Sequence, residues 1–338
     1  MDRETGRVLW ARNIHQRRYI ASTTKIMTAL VAIEKGDLDD VVQVSEKAAA
    51  VEGSSVYLEA REKKTLEELL YGLILRSGND AALAIAEHVG GSAENFYRMM
   101  TKKARDIGAE NTFFKNPHGL HHEHHYSTAY DLALIAAHAL ENETFQNIVS
   151  TPRAIISWPG QEWDRVLHNQ NKLLQFYNGA DGVKTGWTSP AGRCFVGSAT
   201  RNGQQLVVVV LNAPQMWEDA EKLLDYGFAV YRHRDLLTDG QELTMVEVEK
   251  GLQEQCKVEA GADFSYPLSE DEVGQVKYKF FLHETYPAPI FSGEKLGRVE
   301  MKLNREKIGM VDLVAGEDVG RRPFYQPLLE WWQNRRAE

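Results

Sequence analysis

The spacing of apolar positions divides the chain into a helical part and a β-rich part. From Ser22 the apolar residues Ile26, Ala29, Leu30 and Ile33 recur at helical spacing and stop at Gly36, which predicts a buried helix. A second helical pattern covers residues 66–75, breaks at Ser77, Gly78, Asn79 and Asp80, and resumes over 81–89 before Gly90 and Gly91. Helices are also predicted over 94–107, 128–140 and 217–231. Between the last two, residues 193–199 and 204–211 are apolar or alternating on either side of Asn202 and Gly203, the strongest short hairpin signal. Asp2 to Gly6 reads as a turn leading into a short N-terminal strand at Val8, Leu9 and Trp10. Together these elements predict an α+β architecture, an antiparallel sheet covered by helices.

Past about Leu237 the texture changes. Short β-prone runs over 243–248, 275–282, 297–303 and 307–314 are separated by Gly, Pro and acidic turns, as in a small all-β domain. In the stretch from Pro323 to Arg336, Phe324, Leu328 and Trp332 align at helical spacing, with Tyr325 and Leu329 beside them and arginines at both ends. Such a segment suits an amphipathic helix lying on a membrane surface, or one packed against the β-rich domain or a neighbouring chain. The expected organisation is therefore 1–236, 237–320 and 321–338.

Composition narrows the function classes. With 338 residues, 43% hydrophobic and 26% charged, the chain has enough apolar surface for two cores and is not globally disordered. The excess of 48 acidic over 39 basic residues, a net charge of −9, argues against a nucleic-acid partner. Cys194 and Cys256 lie too far apart, and are too few, for a disulfide framework or a thiolate zinc site. No run approaches the roughly 18 apolar residues of a membrane-spanning helix. The first seven residues are polar, which leaves a cytoplasmic chain or one whose leader is absent.

Three short motifs carry candidate chemistry. Ser22 and Lys25 lie three apart at a helix start, so hydroxyl and amine share one face. That face also carries Ile26, Ala29 and Ile33; a lysine drawn toward the interior favours its neutral form, which can take a serine proton. A capping serine beside a solvated lysine is the bland alternative. Ser77, Gly78 and Asn79 occupy the break between two helices, where a hydroxyl and a carboxamide can point into a cleft, although Asn79 or Asp80 could equally cap the second helix. Lys184, Thr185 and Gly186 form a strand with a cation, a hydroxyl and then no side chain, suited to a substrate that pairs with the strand edge and ends in a carboxylate.

In order and spacing these are the S-x-x-K, S-x-N and K-T-G motifs of penicillin-binding proteins and related β-lactamases. The segments 54–58, 65–73, 116–120 and 126–131, with His168, Asn169 and 181–188, extend the match. Over roughly residues 2–320 the chain resembles the low-molecular-weight penicillin-binding proteins, the serine-type D-alanyl-D-alanine carboxypeptidases. The resemblance implies a penicillin-binding/β-lactamase-like transpeptidase fold and an enzyme that removes the terminal D-alanine from peptidoglycan stem peptides through an acyl-enzyme. It implies acylation by β-lactams, no metal or organic cofactor, and a location on the outer face of the bacterial cytoplasmic membrane. It also implies roles: Ser22 as nucleophile, Lys25 as its base, Ser77 as proton carrier to the leaving nitrogen, and Asn79 as holder of the substrate amide. Lys184, Thr185 and Gly186 would receive the terminal carboxylate, and the N–H groups of Ser22 and Trp187 would form the oxyanion hole.

The chain departs from the family pattern in three places. Trp187 stands where some members carry His or Tyr. No arginine precedes the closing helix in residues 212–217, where some relatives have one, so carboxylate recognition should rest more heavily on Lys184 and Thr185. The chain also starts inside the expected first strand, as a processed or truncated form would. A β-lactamase would need a separate carboxylate in a Glu-x-x-Leu-Asn loop, a sequence not found here. A silent wall-binding scaffold would have no reason to pair a nucleophile with a buried base. His118, His121, His122, His124 and His125 lack a fixed ligand spacing and read as an exposed, pH-sensitive loop rather than a metal site.

Overall fold

The computed structural model describes residues 1–323 and Tyr325. Apart from residues 321–323 and Tyr325, the amphipathic segment expected over 321–338 lies outside the described residues. The chain forms two compact units, Met1–Ala229 and a second that begins at Val230.

In the first unit a 3-10 turn, Ala21–Thr24, runs directly into α1 (Lys25–Lys35). Lys25 and the seven residues after it are all buried, which makes α1 the central helix of the core. The chain continues through β1 (Val41–Gln43), the short α2 (Glu46–Ala49) and β2 (Lys63–Thr65), which pairs antiparallel with β1. Next come α3 (Leu66–Leu75), α4 (Asn79–Gly90), α5 (Ala93–Asp106), α6 (Ala129–Ala139) and α7 (Glu143–Ser150). Polar side chains start most of them: Thr65 caps α3 in a reciprocal box with Glu68, and Ser92, Thr128 and Asn142 cap α5, α6 and α7. Each such cap contributes about 1 kcal/mol and sets the residue at which a helix begins.

The hairpin of β3 (Arg153–Ile156) and β4 (Arg165–His168) and the short α8 (Leu173–Phe176) lead into a three-stranded antiparallel sheet. Its strands β5 (Ala180–Thr188), β6 (Gly192–Arg201) and β7 (Gln204–Val210) lie in chain order, and α9 (Met216–Val230) closes the unit. Residues 194–199 of β6 are buried without interruption, as the central strand of a sheet covered on both faces requires. At the expected hairpin turn Asn202 and Gly203 both have positive φ, 51° and 81°, the geometry that matches the twist of the flanking strands.

One expectation is corrected at the N-terminus. Val8, Leu9 and Trp10 form no strand. Residues 1–3 pair with β7 instead: the Met1 amine donates to the Val207 carbonyl and the Val207 N–H to that of Met1, both at 2.8 Å, and the Arg3 N–H donates to Gln205 at 2.9 Å. The turn itself is where it was expected, because Asp2 Oδ1 accepts from the Thr5 N–H and hydroxyl. The pairing segment therefore lies before the turn, where the chain offers too few residues for a periodic signal.

The described part of the second unit is built of β-strands, with one short 3-10 turn at Val273–Gln275. It contains β8 (Arg232–Leu237), β9 (Glu242–Glu249), β10 (Gln255–Ala260), β11 (Phe264–Leu268), β12 (Lys277–Phe281), β13 (Thr285–Pro287), β14 (Lys295–Leu303) and β15 (Glu306–Ala315). Six of these form one sheet in the order β12-β14-β15-β10-β9-β13, and β8 pairs with β11. Alternating Val246, Val248, Cys256, Val258, Val299, Met301, Val311 and Leu313 fill its core.

Candidate active site

The three motifs, far apart in sequence, meet at one place in the first unit. Ser22 sits within the 3-10 turn, directly after Ala21, whose φ of 47° is unusual for a residue with a side chain. Strain of this kind collects at functional turns and costs on the order of 1 kcal/mol. The turn is pressed from one side by β5. A Cβ added at Gly186 would lie 2.9 Å from the Ser22 nitrogen and 3.0 Å from that of Thr23, so only glycine lets the strand come this close. From the other side Gly119, at φ 87°, lies against the Ala21 carbonyl.

Lys25 is completely buried, and its amine has three uncharged hydrogen-bond partners: Nζ lies 2.7 Å from Asn79 Oδ1, 2.7 Å from the His118 carbonyl and 3.1 Å from Ser22 Oγ. The two carbonyl oxygens accept the two N–H bonds of an unprotonated amine, which leaves its lone pair for the Ser22 hydroxyl. Burial drives its pKa well below the ordinary lysine value, the nearby Lys184 charge adds to the effect, and Asp80 opposes it. A neutral amine within hydrogen-bond reach of a serine hydroxyl can act as a base toward it.

Asn79 is the first residue of α4, yet it does not cap that helix. The N-cap is Gly78, and the Asn79 amide turns inward, donating from Nδ2 to the Glu52 carbonyl at 2.6 Å. Ser77, at φ 61°, has a buried Oγ with no hydrogen-bond partner, a costly state that points to a group in transit or a ligand. Asp80 is a functional support that the sequence reading left as a possible cap. Its carboxylate accepts from the Ser55 hydroxyl at 2.6 Å and from the N–H groups of Val56, Leu58 and Ala81, tying residues 55–58 to the start of α4. An acidic residue in a first helical turn was the available signal.

Lys184 and Gly186 share one face of β5, toward the turn, while Thr185 and Trp187 share the other. Lys184 is buried, its recorded bond goes to the Thr185 carbonyl at 3.1 Å, and burial brings its pKa down to about 7. Thr185 is half-buried and Trp187 is 64% exposed.

The histidine loop departs from its expectation. His121, His122 and His124 are exposed, but His125 is buried and His118 half-buried. The Thr24 hydroxyl donates to the Ala21 carbonyl at 2.8 Å and so accepts from His125 Nε2 at 2.7 Å, while the Lys115 N–H donates to Nδ1 at 3.2 Å. This bonding fits the neutral Nε2–H tautomer. Burial, assisted by neighbouring positive charge, brings both His118 and His125 down to about 3, so these two are structural and uncharged at neutral pH. Among the described residues no group of three or more His, Cys, Asp or Glu is placed to hold a metal ion.

A serine beside a buried lysine of lowered pKa, an unpartnered second serine and a cationic strand edge, set between helices and an antiparallel sheet, define a serine acyl-transfer enzyme of the penicillin-binding type. Comparison with known proteins gives the family. The model described as D-alanyl-D-alanine carboxypeptidase matches residues 1–215, and that of the penicillin-binding protein 5 C-terminal domain matches residues 231–321. The chain belongs to the D-alanyl-D-alanine carboxypeptidase family. The D-alanyl-D-alanine carboxypeptidase DacF of Bacillus subtilis is 36% identical over 335 residues, covering 96% of this chain and 85% of that protein. Penicillin binding protein 5 from Haemophilus influenzae superposes with a TM-score of 0.77 at 33% identity, covering 95% of this chain and 96% of the solved one. A D-alanyl-D-alanine carboxypeptidase from Mycobacterium tuberculosis gives 0.64 at 36% identity, over 68% of this chain and 89% of its own.

Proposed function

We propose that Ser22 cleaves the bond between the two terminal D-alanines of peptidoglycan stem peptides, the carboxypeptidase reaction of this family. Ser22 Oγ attacks the carbonyl carbon as Lys25 Nζ takes the hydroxyl proton. The tetrahedral oxyanion is received by the N–H groups of Ser22 and Trp187, with Gly186, the neighbour of Trp187, packed against the Ser22 nitrogen. Ser77 relays the proton to the leaving D-alanine nitrogen, the amide bond breaks, and the acyl group remains as an ester on Ser22. Water then adds to the ester carbonyl as Lys25 accepts its proton, the ester C–O bond breaks as Lys25 returns that proton to Ser22 Oγ, and the shortened peptide leaves as the acid. Asn79 Nδ2 has one hydrogen on Glu52 and a second for the substrate amide. The terminal carboxylate lies along the free edge of β5, where Thr185 offers a hydroxyl from one face and Lys184 a positive field from the other, and that field lowers the pKa of Lys25 further.

The observation that carries this reading is the Lys25 amine, buried, 3.1 Å from Ser22 Oγ and with uncharged hydrogen-bond partners. The same chemistry gives acylation by β-lactams, whose ring amide takes the place of the D-alanyl bond, and needs no metal or cofactor. We assign catalysis to residues 1–236, keep 237–320 as a separate β-rich part, and place the enzyme outside the cytoplasmic membrane, on its outer face, where stem peptides are. Among the described residues no helix is long and apolar enough to cross a membrane. Surface contact through 323–336 is part of the proposal, tested by vesicle binding of the chain with and without that segment.

The test is D-alanine release from a diacetyl-Lys-D-Ala-D-Ala peptide together with labelling by a fluorescent penicillin. Wild type should do both, and Ser22→Ala neither. Labelling without release would move the reaction to a different acceptor, and absence of both in a folded wild type would leave a scaffold.

A further inference from the structure

The substrate's terminal carboxylate lacks a permanent cation in the set assigned so far. Lys184 is the single charged side chain in that set, and it is buried and bonded to its own neighbour's carbonyl. With a pKa of about 7 it is only partly charged at neutral pH. Thr185 offers a hydroxyl but no charge, and residues 212–217 hold no arginine.

The adjacent strand supplies one. In the β5–β6 ladder Arg193 lies directly opposite Trp187, and Phe195 lies opposite Thr185. Residues directly opposite point to the same face, so Arg193, Trp187 and Thr185 share the face of β5 turned away from Lys184. Arg193 is thus the diagonal neighbour of Thr185, at about 7–8 Å between backbone positions, a span that an arginine side chain covers. Arg193 is exposed, and among the described residues it makes no ion pair; its recorded side-chain bond is a long one, 3.4 Å to the Pro214 carbonyl. Its backbone is firmly set, with its carbonyl accepting from the Ala213 N–H at 2.9 Å and Gly192 packed against Asn212. On a rigid strand, on the same face as the Thr185 hydroxyl and without a carboxylate partner among the described residues, the guanidinium need only leave its long bond to the Pro214 carbonyl to form a bidentate pair with a carboxylate.

We propose that Arg193 binds the free C-terminal carboxylate of the substrate together with Thr185, and so sets the preference of this enzyme for peptides that end in an acid. The proposal rests on the carboxypeptidase reading. It places the discriminating charge on β6, within the sheet, rather than ahead of the closing helix.

The experiment compares kcat/KM for an acyl-D-Ala-thioglycolate thioester carrying a free acid with that for its methyl ester, in wild type, Arg193→Ala, Arg193→Lys and Arg18→Ala. Both compounds acylate the same serine, so their ratio isolates recognition of the carboxylate. The acid-to-ester ratio should fall by about 10- to 100-fold in Arg193→Ala, as expected for loss of a charge-assisted pair, and be partly restored in Arg193→Lys. Arg18 is a nearby cation, bonded to Gln16 Oε1 at 3.0 Å, and its removal should leave the ratio within about two-fold if the effect is a contact rather than a diffuse field. An unchanged ratio in Arg193→Ala, or an equal fall in Arg18→Ala, overturns the proposal. A wild type that turns over neither compound instead contradicts the carboxypeptidase reading itself. A misfolded Arg193→Ala would lose both activities together, and Arg193→Lys then decides: a ratio equal to that of wild type overturns the assignment, and an intermediate ratio supports it.

Discussion

Two buried lysines in the first unit, Lys25 in the cleft and Lys64 on β2, show what a partner does to a buried amine. Both are almost fully removed from solvent. Lys64 sits between carboxylates, 3.5 Å from Glu62 and 3.5 Å from Glu68, and also donates to the Ser157 hydroxyl at 2.6 Å and to the Ser157 carbonyl. Arg165 completes the cluster with a two-point pair to Glu62 at 2.6 and 2.8 Å. Burial pushes the Glu62 and Glu68 carboxyls up, yet hydrogen bonds from Arg165 and Ser157 and the Lys64 charge hold both below their ordinary value. Here opposite charges compensate each other, and the cluster fastens the β3–β4 hairpin to β2 and α3. Lys25 has polar partners but no bonded carboxylate, so its burial is answered by a lowered pKa instead. The same side chain at the same depth is structural in one place and a base in the other, and the bonded carboxylates make the difference.

Four measurements can break or sharpen that contrast. The largest effect is expected from Lys25→Met: D-alanine release should fall by about 10³-fold or more, the scale of losing a general base, while the urea midpoint stays level or rises because a desolvated amine is gone. A destabilised Lys25→Met with residual activity would put Lys25 in the same class as Lys64. Lys64→Met should do the reverse, costing about 3 kcal/mol of stability by leaving buried carboxylates without a cation, with kcat of the folded fraction near wild type.

The third measurement is the pH dependence of stability. Lys184 has a folded pKa of about 7, against about 10.4 in the unfolded chain. Between these values the unfolded chain holds a proton that the native one lacks, so stability should rise with pH across this window, by up to about 1.4 kcal/mol per unit for each such lysine. Below pH 7 both states are protonated and the contribution is flat. Urea midpoints at pH 7 and 9 should differ less in Lys184→Met than in wild type; an equal difference would mean that Lys184 is charged in the fold. The smallest effect is expected from Thr65→Ala, which removes the α3 cap beside Lys64 and should cost about 1 kcal/mol with no change in kcat.

The helices and the hairpin were readable because caps and periodic apolar faces are local signals. α3 and the turn at Asn202 and Gly203 fall where the pattern puts them, while α5, α6 and α9 shift by about a residue. The β-rich part was read less completely. β10 alternates cleanly in burial, but Gln255, Lys257 and Glu259 give it a polar texture that hides the period of two, and β13 has only three residues. In the site, the motifs identify the side chains but not what holds them. The Lys25 bond to a backbone carbonyl of the 116–120 loop, the inward turn of Asn79 and the bonds that fix His125 depend on contacts between distant segments, which no local spacing encodes. The His118 and His125 pair reads as a polar loop in sequence because burial, not residue type, decides its charge.

The partners of Lys25 come from the turn at Ser22, the first residue of α4 and the loop at His118, and the last two are in place only when helix and loop have docked on that turn. In an unfolded chain that lysine is solvated and protonated, and the serine beside it is an ordinary alcohol. Reactivity therefore switches on only with the assembled core, so penicillin labelling counts native molecules. A titration of label against urea would trace the unfolding of the first unit from its own chemistry, without an attached probe.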